Sequence, residues 1–182
     1  MKCLRLPLLL VCLVIAACNS VTGLDGEHGA LNTQERALVR TQSVKAIEAK
    51  EWSDAWDQEV HAGAERARLE DIALGALKDD SGTAESMFEE LLRKWGPLSA
   101  GSRAAVDKLV VDTVAKRDWA RAVEIEIVAA DDPPKAGDPA ERVTYSKAWE
   151  LFRAAPPNKA ADLREMIQDA RDDAREALET DK

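Results

Sequence analysis

Apolar residues recur at helical spacing along most of this chain. The clearest run is Ala84, Met87, Phe88, Leu91, Leu92 and Trp95, at i, i+3, i+4, i+7, i+8 and i+11. That spacing puts all six on one face of a helix. Thr83 is placed to cap it. Gly96-Pro97 ends it, because glycine accepts the left-handed position and proline cannot continue a helix. Before it, Asn32 with Glu35 reads as a capping box for a first helix running to about Ala49. A second begins near Ser53 and carries Trp56, Val60, Ala64 and Ala67. Its stripe continues through Leu69, Ile72, Ala73, Ala76 and Leu77 to Asp79. Whether it passes through Gly63 or breaks there is open. Asp80-Ser81-Gly82 reads as a turn.

The second half follows the same rule. Ser102 opens a helix with Val106, Leu109, Val110 and Val114 on one side. Thr113 falls on that side too, where its hydroxyl can bond back to the preceding turn. Asp118 caps the next helix, from Trp119 to about Ala130. Its Val123-Glu124-Ile125-Glu126-Ile127 also alternates like a strand, but the cap and the lack of a partner strand favour helix. Asp131 to Gly137 is a loop. Asp138-Pro139 reads as a cap with proline at the first helical position, opening a helix with Val143, Tyr145, Ala148, Trp149 and Phe152. The last helix begins at Asn158 and carries Leu163, Met166, Ile167, Ala170, Ala174 and Leu178. The expected class is all-α, a helical bundle or short α-solenoid of about six to seven helices.

The N-terminus carries a different pattern. Lys2 and Arg5 precede an apolar run from Leu6 to Ala17, interrupted only by Pro7. A bilayer needs roughly twenty residues of helix, so this run is too short to span one. A basic start, a short apolar core and small residues before a cut are the parts of a secretory signal. Ile15-Ala16-Ala17-Cys18 resembles the lipobox of bacterial lipoproteins, with Ile15 where that family most often has leucine. The resemblance implies cleavage before Cys18 and a diacylglyceryl thioether on its sulfur. Residues 1–17 are then signal peptide, 18–30 a lipidated flexible tether rich in glycine, and 31–182 the helical domain. Asn19 follows the cysteine in place of the aspartate that retains such proteins in the inner membrane. The implied site is therefore the periplasmic face of a Gram-negative outer membrane. Each buried methylene contributes about 0.8 kcal/mol, so two or three acyl chains hold the chain on the membrane.

Charge and cysteine use narrow the partners. The chain has 25 basic and 34 acidic residues. Two of the basic ones, Lys2 and Arg5, leave with the signal, so the mature net charge is −11. An acidic body repels phosphate backbones, which argues against nucleic acid as a partner. Of the three cysteines, Cys3 and Cys12 also leave with the signal. The fold then rests on packing without an internal disulfide.

Residues 103–135 resemble one tetratricopeptide repeat. Asp118-Trp119, Ala122, Ala129 and Pro134 fall near that family's turn, aromatic, small and proline positions. Glu126 stands where the family has a large aromatic, Val110 where it has a small residue, and Thr113 puts a hydroxyl on the apolar face. Glu51-Trp52 to Ala55 and Ala62 echo the pattern without the proline. The resemblance implies protein or peptide binding.

No nucleophile elbow, phosphate loop, Cys-x-x-Cys or His-Glu-x-x-His motif occurs. Asp57, His61 and Glu65 lie at i, i+4 and i+8 on one helix face. They lack a further ligand at a telling spacing, and no metal or other cofactor is expected. Asp79-Asp80 and Asp131-Asp132 fall in turns, without the apolar surroundings that raise a carboxyl pKa. Ser81, Ser99 and Ser102 sit near helix starts, where capping accounts for them. The final helix is acidic, with Asp169, Asp172, Asp173, Glu176 and Glu179 around Arg171 and Arg175, which reads as a solvated face. Of the five tryptophans, Trp56, Trp95, Trp119 and Trp149 fall on or beside apolar stripes. Trp52 has the weakest case for the core and is the candidate binding residue. The expected function is a non-enzymatic protein-binding or scaffold subunit of an envelope complex, held at the membrane by lipid on Cys18. The alternatives are a sugar- or peptidoglycan-binding protein or hydrolase using Trp52 and acidic side chains, or a dimeric spacer using the last helix.

Overall fold

A computed structural model describes residues 31–133 and 144–180. Cys18, the signal and tether segments, and the expected cap at Asp138-Pro139 lie outside the described residues. The described residues form eight α-helices and one short 3-10 turn, with no strand among them. The helices are α1 (Thr33–Ala49), α2 (Trp52–His61), α3 (Arg66–Asp79), α4 (Ser81–Trp95), α5 (Ala100–Ala115), α6 (Trp119–Val128), α7 (Ser146–Ala154) and α8 (Ala160–Thr180). The 3-10 turn, Pro157–Lys159, leads into α8. The all-α class holds, and the question at Gly63 is decided. Gly63 adopts φ +68 and separates α2 from α3, which brings the total to eight.

Local chemistry explains the other boundaries. Asp80, and not Thr83, caps α4. Its Oδ1 accepts the Gly82 N–H at 3.0 Å and its Oδ2 accepts the Thr83 hydroxyl at 2.6 Å. The expected turn at 80–82 is therefore the first turn of the helix itself. Ser99 caps α5 by accepting the Ser102 N–H, and Asp118 caps α6 by accepting that of Arg121. Gly96 closes α4 at φ 76. α7 opens at Ser146, directly after Tyr145 in the left-handed region at φ 55, so the expected helix is not continuous through Tyr145.

From α2 onward, each helix packs mainly against the next or the next but one. The adjacent pairs are α2–α3, α3–α4, α5–α6, α6–α7 and α7–α8. The alternate pairs are α2–α4, α3–α5, α4–α6 and α6–α8. That neighbour pattern is the one expected of a short stack of helical hairpins. The main core runs from Ala46 of α1 to Ala129 beyond α6 and includes Trp56, Leu69, Ile72, Leu77, Phe88, Leu91 and Val106. A second cluster joins Val123, Tyr145, Ala148, Leu163 and Ile167. α6 serves both. Ala122 and Ile125 face the main core, whereas Val123 and Ile127 face the second. A helix packed on two sides needs apolar residues on two faces, which is why its sequence alternates. No helix among the described residues is long and apolar enough to cross a membrane.

Candidate functional site

Trp52 opens α2 at the sharp bend after α1. Lys50 takes φ 62 there, a left-handed conformation that costs a non-glycine residue roughly 1–2 kcal/mol. The bend is held at one carboxylate. Lys50 Nζ donates to Asp79 Oδ1 at 3.1 Å, and Trp52 Nε1 donates to Asp79 Oδ2 at 3.2 Å. The Lys50 hydrogen bond leads the effects that hold Asp79 below the usual carboxylate range. The Trp52 ring covers Gly75 of α3 so closely that a Cβ there would overlap it. Trp52 is thus half-buried, with its six-membered ring against Gly75 and its N–H engaged by Asp79. Beside it lies an open hollow of about 360 Å3, lined by Lys50, Trp52, Asp54, Asp79, Asp80 and Thr83 among others.

The other tryptophans divide. Trp56 is buried, and its Nε1 donates to Glu90 at 3.2 Å. Trp95 and Trp119 are half-buried at the edges of the two clusters. The Lys94 ammonium sits 4.3 Å over the Trp95 ring. Trp149 meets Phe152 edge-on at 5.5 Å.

Among the described residues, three buried carboxylates join the helices: Glu59 of α2 accepts Arg68 Nε–H of α3 at 3.2 Å, and the other two carry larger networks. Glu70 of α3 is 2% exposed. It accepts the Ser99 and Ser102 hydroxyls at 2.5 Å each, the Ser99 N–H at 3.0 Å and Arg66 Nε–H at 2.6 Å. Burial acts to raise its pKa, but the donations from Ser102, Ser99 and Arg66 outweigh it and bring the value to about 2. The carboxylate therefore sits ionised at the positive N-terminal end of α5, where a helix favours an anion. Arg66 also reaches the carbonyls of Trp95 and Pro97, fastening the α4–α5 loop. Ser102 is thus a Glu70 partner as well as a residue near a helix start. Ser81 Oγ, in contrast, is buried without a partner.

The second network centres on Glu126 of α6, 5% exposed and paired with Arg103 of α5. Arg103 also donates to Asp107 at 2.7 Å and to the Ala129 carbonyl at 3.2 Å. Lys147 of α7 completes a row of alternating charges by donating to Asp107 at 2.7 Å. Burial pushes Glu126 above the usual carboxylate range, and Arg103 opposes that shift. The Lys147 hydrogen bond leads the effects that hold Asp107 below that range. The position that departs from the repeat family's aromatic thus carries a buried ion pair. A hollow of about 200 Å3 borders Glu126, Arg103, Asp132 and Lys147. Thr113 behaves as expected, its hydroxyl donating to the Leu109 carbonyl at 2.7 Å.

The remaining expected groups do not form a reactive site. The break at Gly63 separates Glu65, the residue before α3, from Asp57 and His61 on α2. The His61 ring instead contacts the Asp57 carbonyl at 2.7 Å through Nδ1. Among the described residues, no group of three His, Cys, Asp or Glu is placed to hold a metal ion. Asp131 accepts the Leu98 N–H, and Asp132 accepts the N–H and hydroxyl of Ser146, so both tie loops to helices. Glu70 belongs to no sequence motif, and Asp79 reads in the sequence only as a turn carboxylate. Arg66 and Glu70 at i, i+4 were the only local signal for the first. No family model matches the chain, and neither the curated proteins nor the solved structures contain a match to it.

Proposed function

We propose that this chain is a lipoprotein anchored through acylated Cys18, and that its helical domain acts as a protein-binding or scaffold subunit of an envelope complex. The proposed site is the periplasmic face of a Gram-negative outer membrane. The observation that carries the address is Ile15-Ala16-Ala17-Cys18 after a short apolar run with a basic start. The stack of helical hairpins supports the binding role, because such stacks offer extended surfaces to other chains. The uses of the buried charges fit it as well. Glu70, Arg103 and Glu126 each hold one helix to another.

The test is a crosslinked pull-down from native envelopes, run with the wild type and Cys18→Ala in parallel. A stoichiometric protein partner that is lost with Cys18→Ala is the expected result. Wild type at the membrane with no specific partner would sink the scaffold role. A wild type released into the soluble fraction would sink the anchor. A second reading, a sugar ligand at Trp52, draws on the hollow beside that ring, with its carboxylates and the Thr83 hydroxyl. Titration with peptidoglycan fragments that leaves the tryptophan fluorescence unchanged would remove it.

A further inference from the structure

The junction between α1 and α2 shares its left-handed residue with the α5–α6 junction, where Arg117 takes φ 64, but it lacks the side-chain devices found at the others. α2 and α3 are separated by Gly63. α3 and α4 meet at the Asp80 cap, and α5 and α6 meet at the Asp118 cap. α4 and α5 are parted by Gly96, Pro97 and the Ser99 cap, and α7 and α8 by Pro156 and Pro157. At Ala49-Lys50-Glu51 there is no glycine, no proline and no capping side chain. Alanine, lysine and glutamate are all strong helix formers. Local preference is therefore for one continuous helix from Thr33 to His61, about 43 Å long. The bend opposes that preference and forces Lys50 into the left-handed region.

Among the described residues, the following groups hold the bend. Lys50 and Trp52 share Asp79, and two backbone bonds close the turn, Lys50 N–H to the Ile47 carbonyl and Glu51 N–H to that of Ala46. Of the residues in α1, only Ser43 and Ala46 are buried. The Ser43 hydroxyl is buried without a partner, which weakens the attachment further. Leu38 and Val44 remain exposed.

We propose that this elbow straightens and that two copies of the chain then exchange α1, forming a helix-swapped dimer. Straightening relieves the Lys50 backbone and restores helical hydrogen bonds across the junction. It also uncovers the apolar surface that Ala46 and Ile47 had closed. The segment matched to that surface is α1 itself, so a second copy supplies the occupant. Each body then regains the contacts of the closed chain, apart from those at the elbow, and exchange of an identical element is a low-cost route to a dimer.

The test measures the dissociation constant of the full chain by sedimentation in density-matched detergent, for the wild type, Lys50→Gly, Lys50→Asn and Asp79→Asn. Glycine accepts the left-handed bend and disfavours the straight helix. With two elbows in each dimer, Lys50→Gly weakens dimerisation by roughly a hundredfold or more. Lys50→Asn moves it the same way by less. Asp79→Asn takes the charge and one acceptor from the clasp and strengthens dimerisation. Circular dichroism and a cooperative melt establish that each variant is folded. A chain that stays monomeric in both the wild type and Asp79→Asn overturns the proposal. So does a dimer whose dissociation constant is unchanged or lowered by Lys50→Gly.

Discussion

Glu70→Gln keeps the shape of a buried side chain and removes its charge. In the wild type the carboxylate collects hydrogen bonds from Arg66, from the Ser99 N–H and from the Ser99 and Ser102 hydroxyls. These donors bring its pKa from the ordinary 4.5 down to about 2. That displacement corresponds to about 3 kcal/mol of stability at neutral pH. A group whose pKa is lowered on folding contributes fully above its unfolded pKa, and the contribution disappears as pH falls through the folded one. The difference between wild type and Glu70→Gln, measured by urea unfolding with circular dichroism, is therefore about 3 kcal/mol near pH 7. It shrinks to under about 1 kcal/mol by about pH 2.5. Asp79, Asp80 and Asp107 also have lowered pKa values, but they are present in both proteins and cancel in the difference. A difference that stays constant across this range would show that the substitution acts through packing, and would refute the argument from charge.

Two further outcomes follow from the buried contacts. Arg103→Met strands Glu126 as a buried unpaired carboxylate and should cost about 3–5 kcal/mol in chemical unfolding. Glu126→Met leaves Arg103 with Asp107 and should be near neutral or stabilising; equal losses from the two would contradict the pairing. Gly75→Ala places a Cβ within the Trp52 ring, so it should lower stability by about 1–3 kcal/mol despite alanine's better helix propensity. The penalty should disappear in a Trp52→Ala background, and additive losses would argue that the two residues do not touch.

Much of the fold is legible in the periodicity. The stripe from Ala84 to Trp95 lies in α4, with Ala84, Met87, Phe88 and Leu91 in the core. Asp118 caps α6, and Gly96-Pro97 closes α4, because caps and terminators act over one turn and need no distant partner. The start of α4 has a local explanation too. Asp80 outcompetes Thr83 because its carboxylate bonds both Gly82 N–H and the Thr83 hydroxyl. The left-handed Tyr145 just before α7 depends instead on distant groups, its phenol donating to the Ala170 carbonyl of α8 at 3.4 Å. The candidate site was less legible. Trp52 stands out by composition, but its Asp79 partner is 27 positions away in sequence. Ser99 and Ser102 lie 29 and 32 positions from Glu70, so spacing carried no sign of either arrangement.

The sequence by itself determined the all-α class, most of the helix faces and the N-terminal pattern ending at Cys18. These depend on propensities and periodicities that each short segment expresses alone. Tertiary structure decided the stacking of neighbouring helices, the double-sided burial of α6, the bend at Lys50 and the engagement of Glu70, Arg103 and Glu126. Those features arise from groups far apart in the chain. A buried charge is tolerable only where distant donors converge on it, and a left-handed lysine only where packing outweighs local preference.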